Sequence, residues 1–177
     1  MDSVYIEYFK TPLGELILGS FEEKLCLADW RYRKMRDSID SRIKKELQSE
    51  YKEECSEVIV VTQEQLTDYF NGKRTNFDIP LLFIGSEFQK RVWNELLKIP
   101  FGETESYLSL SRKLGDEKAI RAVASANGAN AISIIVPCHR IIGSNNELTG
   151  YAGGLEAKKK LLQLESANDN TEQLNLF

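Results

Sequence analysis

The spacing of apolar residues changes at residue 86, and that change points to a fold in two parts. Before it, apolar side chains fall in short runs. "VYIEYF" (4–9) and "ELILGSF" (15–21) flank the turn signal "TPLG" (11–14), and "KLCLADW" (24–30) follows another polar break. Such runs, bounded by turn residues, predict a small antiparallel sheet. Met35, Ile39, Ile43 and Leu47 then recur four apart within 34–50, as one face of a helix would. "EVIVV" (57–61) reads as a short strand. It leads into "TQEQLTDYFNG" (62–72), where Thr62 can cap a helix that Gly72 ends. "KRTNFDIPLLFIG" (73–85) reads as a linker returning to the body.

From Ser86 the texture is helical. In "SEFQKRVWNELLKIP" Ser86 is a cap, Phe88, Val92, Leu96 and Leu97 form an apolar face, and Pro100 is a stop. "SYLSLSRKLG" (106–115) and "DEKAIRAVASANGAN" (116–130) read as two helices joined by a tight turn at Gly115 and Asp116. That is the outline of a helix-turn-helix, although the same outline occurs in many proteins that touch no DNA. Its second helix carries Ala119, Ala122, Ala124 and Ala126, so its backbone can approach a partner closely. "AISIIV" (131–136) is a strand candidate, and "GGLEAKKKLLQLE" (153–165) is a final helix. The expected class is α+β: a β-rich N-terminal domain with its linker over 1–85, a mostly helical domain over 86–166, and a tail over 167–177.

A net charge of -4 argues against a nucleic-acid partner only until it is divided along the chain. Residues 1–85 carry a net -4, residues 86–166 a net +2 and the tail -2. A mildly basic C-terminal part permits phosphate contacts without demanding them. Three sparse cysteines suit a reducing compartment, and one histidine with no CxxC pair argues against a zinc site. No apolar segment is long enough to span a bilayer, and Asp2 and Glu7 interrupt the start as a signal peptide would not allow. The expectation is a cytoplasmic monomer with no membrane association.

The reactive residues lie in "IIVPCHRIIG" (134–143). Cys138 is either a small hydrophobe in a buried strand or a nucleophile. Pro137 restricts the backbone before it, His139 could take or relay its proton, and Arg140 could fix the backbone or contact a partner. Neighbours on an extended strand point opposite ways, so a Cys–His relay there requires a water or a bend. An imidazole in such a pair needs an orienting group. Glu165 continues the stripe Ala157, Leu161 at intervals of four, and is either that group or a solvated helix-end acid. Lys158, Lys159 and Lys160 read as a solvated face.

Together these pieces resemble the O6-alkylguanine-DNA alkyltransferases, the methylated-DNA–protein-cysteine methyltransferases. The resemblance runs from about Phe88 to Glu165 through "FGETESY", "AIRAVASANGAN", "IIVPCHRIIG" and "LTGYAGGLEAKKKLLQLE". It implies direct repair of double-stranded DNA in which Cys138 accepts the alkyl group of O6-alkylguanine, and by extension of O4-alkylthymine. The reaction is irreversible, occurs once per molecule and needs no cofactor or metal. It implies that His139, acting through a water and oriented by Glu165, generates the thiolate, and that Tyr107 donates to the departing guanine. Arg121 would fill the gap left by a flipped nucleotide, with Ala122, Ala124, Ser106 and Tyr107 at the minor groove. Asn130 would hold the turn before the active site. Ser133, Val136, Pro137, Arg140, Tyr151, Ala152 and Gly153 would shape the pocket. Two other classes compete with this reading: a lesion sensor on the same fold, and a Cys–His hydrolase unrelated to DNA.

The tail "SANDNTEQ" is polar, then ends on "QLNLF". Gln173, Leu174, Leu176 and Phe177 resemble the bacterial sliding-clamp binding peptide. A tail that packs on its own domain, or chance, would give the same letters.

Overall fold

Strands β1 (Val4–Thr11), β2 (Gly14–Phe21) and β3 (Lys24–Trp30) form where the short apolar runs predict them. The computed structural model of the chain describes residues 2–166. β1 and β2 are antiparallel, closing at the Thr11–Gly14 pair, and β3 continues the meander with a bulge at Gly19 and Ser20. The bulge needs glycine, because a Cβ at Gly19 would meet Leu27 Cβ at 2.9 Å. A fourth strand, β4 (Tyr51–Glu53), joins the other side of β1 in parallel, giving the order β3-β2-β1-β4. Three residues are too few to show an alternation, so the sequence carries no signal for it.

Between β3 and β4, helix α1 (Arg36–Leu47) buries Ile39 and Ile43, while Met35 sits at its N-cap and is exposed. "EVIVV" is not a strand. It is the first turn and a half of α2 (Glu57–Phe70), which packs on β1, β2 and β3. Ile59, Thr62, Leu66, Tyr69 and Phe70 form one buried face at spacings of three and four. The cap is Ser56 and not Thr62: Ser56 Oγ accepts from the Ile59 amide, whereas Thr62 Oγ1 donates back to the Val58 carbonyl inside the helix. The segment that reads as a linker is pinned to this unit. Its backbone bonds Leu25 through Pro80 O and Leu82 N, and Gln65 brackets Asp78 with two further bonds.

The chain divides after Ile84. In the second unit, helix α3 (Glu87–Leu96) starts with a capping box between Ser86 and Gln89 and buries Val92, Trp93 and Leu96. Trp93 Nε1 donates to Ala126 O at 2.8 Å and ties α3 to α5. A two-residue parallel pair, β5 (Glu105–Ser106) with β6 (Ile141–Ile142), brings the start of α4 (Tyr107–Lys113) beside the segment that follows Arg140. Helix α4 turns at Gly115, whose φ of +90° suits a residue without Cβ. A 3₁₀ turn capped by Asp116 then runs into α5 (Ile120–Gly128). Among the described residues the last element is α6 (Leu155–Ser166). The whole is α+β, and no helix among the described residues is long and apolar enough to cross a membrane.

"AISIIV" is buried but is not a strand. Residues 131–136 run as bends and turns with a single bridge residue at Ile132, and Ile134 sits at φ +70°. The cause is Asn130, 2% exposed, whose side chain accepts from the Ile132 amide and donates to the Ile132 and Val136 carbonyls. Those three bonds, with Val136 N to Ile132 O, curl the apolar run into a loop that an extended ladder would have to break.

Candidate active site

Cys138, His139 and Arg140 form a single 3₁₀ turn, preceded by Pro137 and followed by β6. The backbone bends here, so the objection that neighbours on an extended strand point apart does not apply. Cys138 is 4% exposed, and its amide donates to Val136 O. Pro137 removes one donor and restricts φ where the chain changes from loop to 3₁₀ turn.

His139 is completely buried. Its Nε2 lies 2.7 Å from Glu165 Oε1 on α6. The carboxylate accepts, so Nε2 carries the proton shared with Glu165. Nδ1 is also buried and has no hydrogen-bond partner among the described residues. Arg140, expected to fix the local backbone or contact a partner, donates from its guanidinium to Ile99 O on a distant segment. It also grips Glu165 twice, Nε to Oε2 at 3.0 Å and an Nη to Oε1 at 2.9 Å. Burial alone would raise the Glu165 carboxyl. The His139 charge, and hydrogen bonds from His139 and Arg140, outweigh it and bring the group down to about 2. Glu165 is therefore no solvated helix end. Gly102, at φ +83°, lets the "FGET" loop close on the end of α6, where a Cβ would come within 3.3 Å of Glu165 O.

Lys158 corrects the reading of the lysine run as a solvated face. Lys159 is exposed, but Lys158 is 1% exposed and donates to the carbonyls of Ile141 and Thr149. Burial lowers its ammonium below the ordinary lysine value, and the charge of Cys138 acts in the other direction. Ala157, Lys158, Leu161, Leu164 and Glu165 are the buried face of α6, spaced three and four apart. Counting threes as well as fours along α6 would have placed Lys158 there.

Tyr107 opens α4, capped by Ser106, whose Oγ accepts from the Ser109 amide. The Tyr107 hydroxyl lies within reach of Asn127 Nδ2 and Thr149 Oγ1, at 3.5 and 3.4 Å. Tyr151 presents its ring edge-on to His139 with centroids 6.4 Å apart, and Ala152 and Gly153 beside it are half-buried. Ser133 and Val136 are fully buried. Arg121 and Ala122 are exposed on α5, and Ala124 is half-buried. Gln173, Leu174, Leu176 and Phe177 lie outside the described residues. Among the described residues no cluster of three histidine, cysteine or acidic side chains could hold a metal ion.

Both halves of the chain match family models. Residues 87–167 match the DNA binding domain of 6-O-methylguanine DNA methyltransferase, and residues 4–83 match its ribonuclease-like domain. A methylated-DNA–protein-cysteine methyltransferase of Methanosarcina acetivorans is 42% identical over 165 residues, covering 93% of this chain and 99% of the relative. The chain belongs to the methylated-DNA–protein-cysteine methyltransferase family. The enzyme of that name from Mycolicibacterium paratuberculosis is 56% identical to this methyltransferase over 114 residues, 64% of this chain and 68% of the relative. The crystal structure of Mycobacterium tuberculosis OGT in complex with DNA superposes with a TM-score of 0.81 at 37% identity, covering 98% of this methyltransferase and 99% of that chain. Both units therefore have counterparts in the family, although only the second carried recognisable motifs.

Proposed function

We propose that this chain repairs double-stranded DNA by moving the alkyl group of O6-alkylguanine onto Cys138, once per molecule. The observation that carries the reading is the Glu165 carboxylate. By accepting from His139 Nε2 it leaves Nδ1 as the basic nitrogen of a residue adjacent to Cys138, so the ring can take the thiol proton, directly or through a water. The buried charges favour the thiolate that results. Arg140 and Lys158 are cations and Glu165 is one anion, so the set has one positive charge in excess. Passing the thiol proton to His139 leaves that net charge unchanged, and Lys158, which interacts with the Cys138 charge, favours the thiolate.

The thiolate then attacks the alkyl carbon: a C–S bond forms, the C–O bond breaks, and its electron pair passes into the guanine ring. Tyr107 donates to the ring as that charge develops. A base within the stack hides its alkyl group, so the nucleotide is flipped out, and exposed Arg121 on α5 fills the gap. The thioether does not hydrolyse, which makes the reaction irreversible and needs no cofactor. O4-alkylthymine presents the same kind of alkyl–oxygen bond and is a second substrate in this reading. Incubation with duplex containing O6-methylguanine is expected to leave one methyl on the peptide that contains Cys138, with no second turnover. A folded protein that acquires no adduct would refute the proposal, and turnover of a thioester would redirect it to a hydrolase.

The tail adds a partner. Gln173, Leu174, Leu176 and Phe177 follow the spacing of sliding-clamp peptides, in which leucine and phenylalanine enter an apolar pocket. Full-length protein is expected to bind the bacterial clamp in a pull-down, and a form ending at Asn170 to lose that binding. Equal capture of both would sink the idea.

A further inference from the structure

Asn127 is buried on α5 at 6% exposure, yet only half of its amide is used. Its Nδ2 donates to the Tyr107 hydroxyl at 3.5 Å, and its Oδ1 is buried with no hydrogen-bond partner among the described residues. A leucine would fill the same space without leaving a polar atom unsatisfied, so packing alone does not account for an asparagine here. A second donor reaches the same phenol oxygen. Thr149 Oγ1 lies 3.4 Å away, and its backbone is held by Lys158 Nζ at the Thr149 carbonyl.

Two donors on one phenol oxygen have two consequences. They occupy its lone pairs, so the hydroxyl proton must point away from both. They also stabilise negative charge on that oxygen, as donors aimed at a developing oxyanion do. Catalytic hydrogen bonds that are long in the unliganded protein tighten when the substrate is bound. We propose that Asn127, with Thr149, is a positioning residue for the leaving-group step: it directs the Tyr107 proton toward the departing guanine and supports the phenol oxygen as that proton is drawn off. This rests on the reading of Tyr107 as the donor to guanine. The amide orientation matters. Turned about, Oδ1 would accept the Tyr107 proton and remove it from the base.

The test is a double-mutant cycle on single-turnover methyl transfer, using wild type, Asn127→Leu, Tyr107→Phe and the pair. Asn127→Leu is expected to slow transfer roughly tenfold with duplex affinity unchanged, the scale of one charge-assisted hydrogen bond. In the Tyr107→Phe background the same change is expected to have no effect, which loss of packing around α5 could not produce. Asn127→Asp offers only acceptors and is expected to be slower than Asn127→Leu. An Asn127→Leu rate equal to wild type, or equal slowing in both backgrounds, would overturn the proposal while leaving the role of Tyr107 intact. A Tyr107→Phe rate equal to wild type would remove both. Should Asn127→Leu fail to fold, Thr149→Val takes its place: it removes the other donor without altering α5, and it too is expected to slow transfer only when Tyr107 is present.

Discussion

Cys138→Ser is expected to yield a folded protein that binds duplex DNA and accepts no methyl group. Serine preserves the shape of the 3₁₀ turn and the Cys138 amide bond to Val136 O, so the loop tied by Asn130 has no reason to open. What changes is the nucleophile. The charge excess of Arg140 and Lys158 over Glu165 can support a thiolate, but a serine hydroxyl gives up its proton too reluctantly to exploit it. Methyl transfer should fall at least roughly 10⁴-fold, in keeping with removal of a covalent nucleophile. Mass spectrometry of the peptide containing residue 138, a thermal melt and a duplex gel shift report the three properties separately. Methyl transfer to any residue in the serine variant at the wild-type rate would show that Cys138 is not the acceptor.

Glu165→Leu is expected to be the most damaging substitution for stability in the second unit. Glu165 is 2% exposed and is shared by His139 Nε2 and two nitrogens of Arg140. Its removal leaves a guanidinium buried beside leucine, a change worth roughly 3–5 kcal/mol. The effect depends on pH in a defined direction. The carboxyl titrates at about 2 in the folded protein against 4.5 for an ordinary glutamate. Because the folded value is depressed, its contribution is present in full above the unfolded value. It is lost as pH falls toward the folded one, and amounts to about 3 kcal/mol. Urea unfolding of wild type and variant should therefore show a wide gap at pH 7 that narrows between pH 5 and pH 2. Equal stabilities at pH 7 would mean that Arg140 finds another partner, and that the shared carboxylate does not hold the site.

Much of the site was legible because its chemistry is written in contiguous letters. "PCHR" places the proposed nucleophile, base and cation in one stretch, and the stripe ending at Glu165 puts that carboxylate on a helix whose register can be counted. Lys158 was misread because a run of three lysines looks like a charged surface. The three- and four-residue spacing of α6 turns its first member inward, toward the Ile141 and Thr149 carbonyls. Asn127 carried no signal at all, since its use depends on Tyr107 and Thr149 arriving from elements 20 and 22 residues away. In the first unit the apolar letters of "EVIVV" suit a strand as well as a helix. Ser56 and the spacing beyond residue 61 decide for the helix.

The sequence by itself determined the meander and the helix-turn-helix, and it set Cys138, His139 and Arg140 side by side, because each depends on local periodicity, turn chemistry or adjacent residues. Tertiary structure alone decided that "AISIIV" is a curled loop and that "CHR" is a 3₁₀ turn. Hydrophobicity specifies that those residues are buried, but not their backbone. The backbone was selected by the Asn130 side chain closing three bonds on one side and by Glu165 receiving His139 and Arg140 together on the other.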